Sequence, residues 1–289
     1  MGNIVLSPFR LMTPTTVSEA AAELSRLGDA AKIYAGGAEL LLLLRHGIVQ
    51  AEYLVNIKRI PGIDDIAVDG ELVRIGAAVT HRRLERDLLV RERLPILAEA
   101  ESHIGNIRVR AQGTIGGNLC FADPHADPGT ALLVHEAFAV VAGPGGTRRI
   151  PLEEFFVGTY ETALAPDELL TEIQVQPLSP GWNGAFLRIE QYYRPTANVA
   201  AAVQMGQDRI QDVRLAVGCI GPRALRLSEI ESELVGLPLE EADQKLAGSK
   251  AYLAERLEPV DDLLGSADYK IHITRALLRR ALHQASQYA

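Results

Sequence analysis

The hydrophobic pattern along the first 57 residues predicts a small α/β unit. Apolar side chains recur every three or four positions over Thr16–Leu27, which is the spacing of an amphipathic helix. A short apolar run at Lys32–Ala35 predicts a strand, and the Gly36-Gly37 pair separates it from an apolar segment that predicts a second helix. A further β-prone run over Tyr53–Ile57 predicts the strand that completes this unit.

From residue 58 to residue 177 the pattern predicts a second unit that begins with a β-hairpin. Short apolar runs at Ile66–Val68 and Leu72–Ile75 flank Asp69-Gly70, a dipeptide typical of tight hairpin turns. Helical spacing follows, and then a second pair of adjacent glycines, Gly116-Gly117, which we expect between a β-prone run and a helix. Further strands are predicted over residues 136–143, 148–150 and 169–175.

The segment Gln176–Gly184 is rich in proline and glycine and predicts a domain boundary. Beyond it, β-type runs over 185–189, 198–204 and 210–218 predict a small antiparallel sheet, and later residues have helical spacing. We therefore predict an α+β fold: two α/β units over 1–57 and 58–177, then a C-terminal part over 178–289 with a three-stranded antiparallel sheet and a helical bundle.

Composition and charge narrow the class of protein. The 289 residues are 47% hydrophobic and 23% charged, as in ordinary soluble globular proteins. The net charge is −8, from 29 Lys+Arg against 37 Asp+Glu, without a block of like charges, so nucleic-acid binding is not expected. The longest apolar run, Leu40–Leu44, is too short to span a membrane, and the first residues do not resemble a signal peptide. The expectation is a cytoplasmic protein without a membrane span.

Residues with reactive side chains do not form a recognisable catalytic or metal-binding set. The two cysteines, Cys120 and Cys219, cannot supply a disulfide framework or a four-cysteine iron–sulfur site. Asp123, His125 and Asp127 superficially offer metal ligands, but no partner cluster is visible in the sequence. We therefore expect no catalytic acid or base and no metal site in this chain, with Cys120 as a small apolar filler.

The two glycine pairs are the strongest indication of a ligand site. Glycine reaches positive φ at no steric cost and lets another backbone or a ligand come close. At the start of a helix, such a turn directs unpaired N–H groups at an anion. Two such turns predict two backbone-lined pockets that hold one phosphate-bearing ligand. Asp127 would accept hydrogen bonds from its sugar hydroxyls, with Asp123 in a structural role. The aromatic pair Tyr192-Tyr193 either lies near a planar cofactor or packs at a sheet rim.

Three motifs in this order resemble one known family. They are the turn Ala35–Leu40, the turn Thr114–Leu119 and the following segment Ala122–Asp127. Together with the segments 103–105, 168–173 and 184–188, they are similar to the FAD-binding medium subunit of molybdenum hydroxylases, the xanthine dehydrogenase and aerobic carbon monoxide dehydrogenase group. The resemblance covers essentially the whole chain.

The resemblance implies a fold and a set of cofactor-binding residues. The fold is two PCMH-type FAD-binding subdomains over 1–177, divided near residue 57, and a C-terminal domain of the carbon monoxide dehydrogenase flavoprotein type over 178–289. The two turns would hold chiefly the pyrophosphate, Ile104 and Leu170 would lie near the flavin, and Arg188 stands near a position where many relatives carry a lysine. The complete implied set is Ile33, Tyr34, Ala35, Gly36, Gly37, Ala38, Glu39, Leu40, Ile104, Thr114, Ile115, Gly116, Gly117, Asn118, Asp127, Leu170 and Arg188.

The resemblance also implies an electron-transfer oxidoreductase subunit with partners. A large subunit would hold the molybdopterin cofactor and oxidise the organic substrate, and a small subunit would relay electrons through [2Fe-2S] clusters. FAD in this chain would pass them to an external acceptor, within a dimer of heterotrimers. Two alternatives stay open: a free-standing flavin oxidase with its own substrate pocket, and a non-catalytic nucleotide-binding assembly module.

Overall fold

The computed structural model describes residues 7–191 and 194–287. Tyr192 and Tyr193, the aromatic pair singled out from the sequence, lie outside the described residues. No helix within these two ranges is long and apolar enough to cross a membrane.

The first unit is a three-stranded parallel sheet in the order β1-β3-β2 with two helices. Thr16 begins the first helix, because its side-chain oxygen accepts the amide of Glu19, and the helix buries Ala20, Ala21 and Leu24 against the sheet. The predicted elements are therefore confirmed in kind and order. Their bounds are β1 Arg10–Met12, α1 Val17–Leu27, β2 Ala31–Tyr34, α2 Leu40–Arg45 and β3 Tyr53–Asn56.

The second unit is built on a five-stranded antiparallel sheet in the order β4-β5-β10-β6-β7. The Asp69-Gly70 hairpin forms as predicted, with Ile66 opposite Ile75. The strands are β4 Ile66–Asp69, β5 Leu72–Gly76, β6 Phe138–Gly143, β7 Gly146–Pro151, β8 Phe156–Gly158, β9 Glu161–Thr162 and β10 Leu169–Val175. The helices are α3 His81–Arg86, α4 Leu88–Arg93, α5 Pro95–Ser102, α6 Ile107–Gln112, α7 Ile115–Phe121, α8 Pro128–Leu133 and α9 Leu152–Phe155.

The expected strand before the second glycine pair is absent from the described chain, which has helix α6 there instead. Asn106 begins α6 by accepting the amides of Arg108 and Val109, and this cap outweighs the β-preference of the residues that follow. Thr114 then caps α7, so Gly116 and Gly117 lie inside the first turn of a helix. The prediction of a strand-to-helix turn is thus confirmed at Gly36-Gly37 and wrong at Gly116-Gly117.

The C-terminal part is an antiparallel sheet in the order β11-β12-β13-β14, covered by helices. The three predicted strands are present, and the two-residue β14 adds a fourth. The strands are β11 Trp182–Gln191, β12 Arg194–Gly206, β13 Arg209–Gly218 and β14 Leu225–Arg226. The helices are α10 Ser228–Leu234, α11 Leu239–Gly248, α12 Lys250–Leu257 and α13 Ala267–Ser286.

Strand β12 is buried on both faces. Every residue from Pro195 to Val203 is buried. Val199 and Ala201 pack into a core shared with α13, whereas Ala200 and Ala202 belong to the core of the two preceding units. Alternate side chains point to opposite faces of a strand, so this one strand separates two hydrophobic cores.

Candidate cofactor site

The two glycine turns lie directly against each other. A side chain on Gly36 would overlap the carbonyl oxygen of Gln112 and come within 2.9 Å of the Cα atom of Gly113. Only glycine permits this approach, so Gly36 joins the turn after β2 to the start of the turn before α7. The expectation that the two turns form one site is consistent with this contact.

The first turn offers a row of backbone N–H groups. Within the described chain, the amides of Gly36, Gly37, Ala38 and Glu39 donate no hydrogen bond. Gly37 has a φ of +74°, a conformation in which a side chain would also meet the Tyr34 ring. Successive free amides in such a turn form a concave site for an anion. This turn has the geometry predicted from the sequence.

The second turn differs from the prediction, because its amides are already paired. Gly116 donates to the carbonyl of Ala77 at 2.9 Å, Gly117 to the Oγ1 atom of Thr114 at 3.1 Å, and Asn118 to the carbonyl of Thr114 at 2.9 Å. Ile115 likewise donates to Val79 at 3.0 Å. Anion binding by these backbone amides is therefore not supported.

What the second turn presents instead is an open backbone surface. Gly117 is exposed, and among the described residues a side chain on it would meet only Thr114 Oγ1, at 2.9 Å. Gly116 is buried and has a different role, since a side chain there would come within 2.6 Å of the carbonyl oxygen and Cβ of Ala77. The Oδ1 atom of Asn118 is buried and has no partner among the described residues. Gly117 and Asn118 are the members of this turn that a ligand could contact.

Asp127 is buried, and each oxygen of its carboxylate accepts a hydrogen bond from one side chain. Oδ1 accepts from the Nδ2 atom of Asn198 at 2.7 Å, and Oδ2 accepts from the Nη1 atom of Arg188. Burial raises the pKa of Asp127, and the charge of Arg188 opposes that rise. The interpretation as a free acceptor for sugar hydroxyls expected an accessible carboxylate, and the geometry instead gives Asp127 the role of a fixed partner for Arg188.

Arg188 fixes β11 to the end of α5. Its side chain is only 8% exposed, and Nη1 also donates to the backbone carbonyl of His103 at 3.2 Å. Nη2 pairs with Glu190. The Nε atom is buried without a partner among the described residues. A buried donor without a partner costs roughly 1–3 kcal/mol, which makes Nε a candidate to contact a ligand.

The three side chains that resembled metal ligands each have a separate partner. Asp123 Oδ2 accepts from Arg194 at 2.6 Å, and the Nδ1–H of His125 donates to the carbonyl of Pro195 at 3.0 Å. Asp127 pairs with Arg188, as described above. Burial, and then the charge of Asp123 in this loop, raises the pKa of Glu39 in the first turn.

The remaining predicted residues have mixed positions. Ile33 and Tyr34 are half-buried on β2, and the ammonium of Lys58 lies 4.4 Å from the centre of the Tyr34 ring. Ile104 is half-buried just after α5, beside the carbonyl that Arg188 contacts. Leu170 lies on β10 and is 3% exposed, so its side chain is not accessible. Cys120 is half-buried and packs against the core, and burial raises the pKa of its thiol to about 12.

Two buried pairs at this site were missed from the sequence. His81 and Glu101 approach to 2.6 Å, and the backbone of His81 donates to the carbonyl of Gly113 at 3.1 Å, which supports the second turn. Thr130 and Asn198 are joined by a 2.8 Å hydrogen bond. Both pairs are distant in sequence, so no local spacing indicates them. The nearest feature visible in the sequence is Thr80, which caps α3 next to His81 but does not indicate the partner of His81.

The fold and the joined glycine turns define a class of flavin-binding protein, and comparison with known proteins identifies it. Residues 7–178 match the FAD binding domain in molybdopterin dehydrogenase, and residues 188–285 match the CO dehydrogenase flavoprotein C-terminal domain. The chain belongs to this family of FAD-binding subunits of molybdenum-containing dehydrogenases.

Individual relatives match over nearly the entire chain. The carbon monoxide dehydrogenase medium chain of Hydrogenophaga pseudoflava is 35% identical over 96% of both chains. The nicotine 6-hydroxylase medium subunit of Paenarthrobacter nicotinovorans is 32% identical over 97% of this chain and 98% of its own length. A solved structure of Hydrogenophaga pseudoflava carbon monoxide dehydrogenase superposes with a TM-score of 0.92 at 34% identity, covering 98% of each chain.

Proposed function

We propose that this chain holds one FAD across the two joined glycine turns and serves as the electron-transfer subunit of a molybdenum-containing dehydrogenase. The observation that carries the site is the row of amides from Gly36 to Glu39, unpaired in the part of the chain that the structure describes, beside the open surface of Gly117. Such amides suit a pyrophosphate. When bound, FAD supplies reversible two-electron redox chemistry.

The chain's own residues bind and orient the cofactor in this proposal. The amides of the first turn hold the pyrophosphate, and Gly117 lets the cofactor approach the start of α7 closely. Asn118 offers its Oδ1, which has no partner in the described part of the chain, to an N–H or O–H donor. Arg188, held by Asp127, Glu190 and the His103 carbonyl, places its Nε–H donor near Ile104, where the resemblance locates the flavin ring.

The test is the flavin content of the native-purified chain, read from its visible spectrum and from acid release. We expect stoichiometric FAD that dithionite bleaches and air restores. Gly117→Val should lose the flavin. Gly145→Val, at a hairpin glycine with no neighbour within 4 Å, is the matched control and should keep it. Failure to bind added FAD, both alone and in the co-expressed assembly, would contradict the proposal.

We further propose that a small [2Fe-2S] subunit and a large molybdopterin-binding subunit complete the enzyme as a dimer of heterotrimers. The support is that relatives described as medium chains or medium subunits match this chain over nearly its full length. Co-expression with the products of neighbouring reading frames, followed by native mass measurement, tests this stoichiometry. A complex containing each subunit once would correct it.

The two alternatives remain distinguishable in the same experiments. Turnover of an organic substrate by the purified chain alone would favour a free-standing flavin oxidase. Stoichiometric nucleotide binding without reversible reduction would favour an assembly module. The full-length match to medium subunits favours the electron-transfer role over both.

We also propose the domain boundary and cellular location expected from the sequence. A division near residue 177 agrees with the start of β11 at Trp182, and a subdivision near residue 57 agrees with the end of β3 at Asn56. Cys120 and Cys219 are free thiols, which suits a reducing compartment such as the cytoplasm. Cell fractionation tests the location, and limited proteolysis tests the boundaries.

A further inference from the structure

We propose that Thr130 and Asn198 are positioning residues which hold the Arg188 guanidinium in place and thereby set the redox potential of the flavin. This inference rests on the proposed function. Neither residue belongs to the predicted site, and both act through Asp127 rather than by touching the cofactor.

The four side chains form one directional chain of hydrogen bonds. The hydroxyl of Thr130 donates to Asn198 Oδ1 at 2.8 Å, and Asn198 Nδ2 donates to Asp127 Oδ1 at 2.7 Å. Asp127 Oδ2 then accepts from Arg188 Nη1. Because Oδ1 of Asn198 accepts and Nδ2 donates, the amide has only one orientation that satisfies both neighbours.

These hydrogen-bonded side chains are buried, and the neighbouring strand leaves room for them. Thr130 and Asn198 are 0% exposed and Asp127 is 3% exposed. Asn198 lies opposite Arg188 on the neighbouring strand and opposite Gly218 on the other side. A side chain at Gly218 would come within 2.5 Å of Asn198 Oδ1 and would overlap the Thr130 hydroxyl, so glycine leaves room for their hydrogen bond.

The series of hydrogen bonds ends at Arg188, which has one donor without a protein partner in the described ranges. Nε of Arg188 is buried and unpaired there, while Nη1 and Nη2 contact Asp127, the His103 carbonyl and Glu190. In the proposed function the flavin lies beside this guanidinium, whose charge Asp127 and Glu190 offset. Its Nε–H would donate a stronger hydrogen bond to the anionic reduced flavin than to the oxidised form. Loosening the guanidinium weakens that preference and lowers the potential.

The experiment compares Thr130→Val with Thr130→Ser. Valine keeps the shape and removes the hydroxyl, whereas serine keeps the hydroxyl. We measure the flavin midpoint potential by dye equilibration and the FAD dissociation constant by fluorescence, on the chain or on the assembled complex if FAD requires partners. We expect Thr130→Val to lose about tenfold in preference for reduced flavin, a decrease of about 30 mV for a two-electron couple. Thr130→Ser should retain the wild-type potential.

Two outcomes would overturn the inference. One is a folded, FAD-loaded Thr130→Val protein with the wild-type potential. The other is reduced stability with an unchanged potential, which would mean that the hydrogen-bond chain is only structural. Asn198→Ser provides a second variant in the same chain and should lower the potential in the same direction. If the wild-type chain and complex bind no FAD, the proposed function fails instead, so the two failures are distinct.

Discussion

Gly116 and Gly117 are adjacent in sequence, yet replacing each with alanine should affect a different property. Gly116→Ala should lower the stability of the chain, and Gly117→Ala should lower its affinity for FAD. A methyl group at Gly116 would lie 2.6 Å from the Ala77 carbonyl oxygen that now accepts the Gly116 amide. Overpacking of this kind costs about 1–3 kcal/mol, and a weakened hydrogen bond adds about 1 kcal/mol. Alanine returns about 1 kcal/mol by its preference for helix. We expect a net destabilisation of about 2 kcal/mol.

At Gly117 the same methyl group points to an exposed surface, where Thr114 Oγ1 is the one neighbour within 4 Å in the described chain. The helix preference of alanine, about 1 kcal/mol, offsets the partial loss of the Thr114 cap, also about 1 kcal/mol. Stability should therefore change little. Because the methyl group occupies the surface assigned to the cofactor, FAD affinity should fall at least about tenfold, or about 1.4 kcal/mol.

Two assays separate these effects. Urea unfolding of the FAD-free chain gives the midpoint shift for each variant, and fluorescence titration gives the FAD dissociation constant. Gly117→Ala should keep the wild-type urea midpoint and bind FAD more weakly, whereas Gly116→Ala should unfold at a lower urea concentration. Wild-type FAD affinity in Gly117→Ala would refute the assignment of its surface to the cofactor, and equal destabilisation by both variants would refute the division of roles.

Three further predictions follow from single buried contacts. His135 is 0% exposed, and burial lowers its pKa to about 4 from 6.5. The stabilisation that the neutral imidazole contributes should therefore be fully present above pH 6.5, and it should fall by about 3 kcal/mol as the pH drops towards 4. Urea unfolding at several pH values should show a shallower fall for His135→Gln. Lys270→Met should destabilise the chain by about 2 kcal/mol, because the buried ammonium of Lys270 donates to Val260 and to Asp262, whose side chain is 30% exposed. Restored stability on adding Asp262→Asn would identify the carboxylate as the cause, and an unchanged urea midpoint in the single variant would contradict the prediction. Gly36→Ala should weaken FAD binding and lower the melting temperature together, because both turns must separate; retention of both properties would show that their contact is dispensable.

The sequence predicted local features of the fold well. The first helix, the Asp69-Gly70 hairpin and the first glycine turn depend on residues only a few positions apart. The β-prone residues before the second glycine pair misled the prediction, since the Asn106 cap outweighs their preference.

Features of the site that depend on distant residues could not be predicted. The amides of Gly116 and Ile115 are paired by Ala77 and Val79, about forty positions earlier, and no local pattern indicates that pairing. The partner of Asp127 lies on a strand beyond the predicted domain boundary. The resemblance correctly identified the family, but it did not indicate that the side chain of Asp127 is buried. Whether a motif residue contacts a ligand or supports a residue that does so depends on such long-range contacts.

The two-sided burial of β12 has a consequence for how the molecule can be divided. A strand whose alternate residues complete two different cores belongs to neither part alone. Cutting the chain near the predicted boundary would expose the face of β12 that carries Ala200 and Ala202 on the C-terminal product, and the core that this face covers on the N-terminal product. We therefore expect separately expressed halves to aggregate, and the intact chain to lose both cores in one transition on heating. Exchanging either part with the matching part of a related chain would require the contacts on both faces of β12 to be kept.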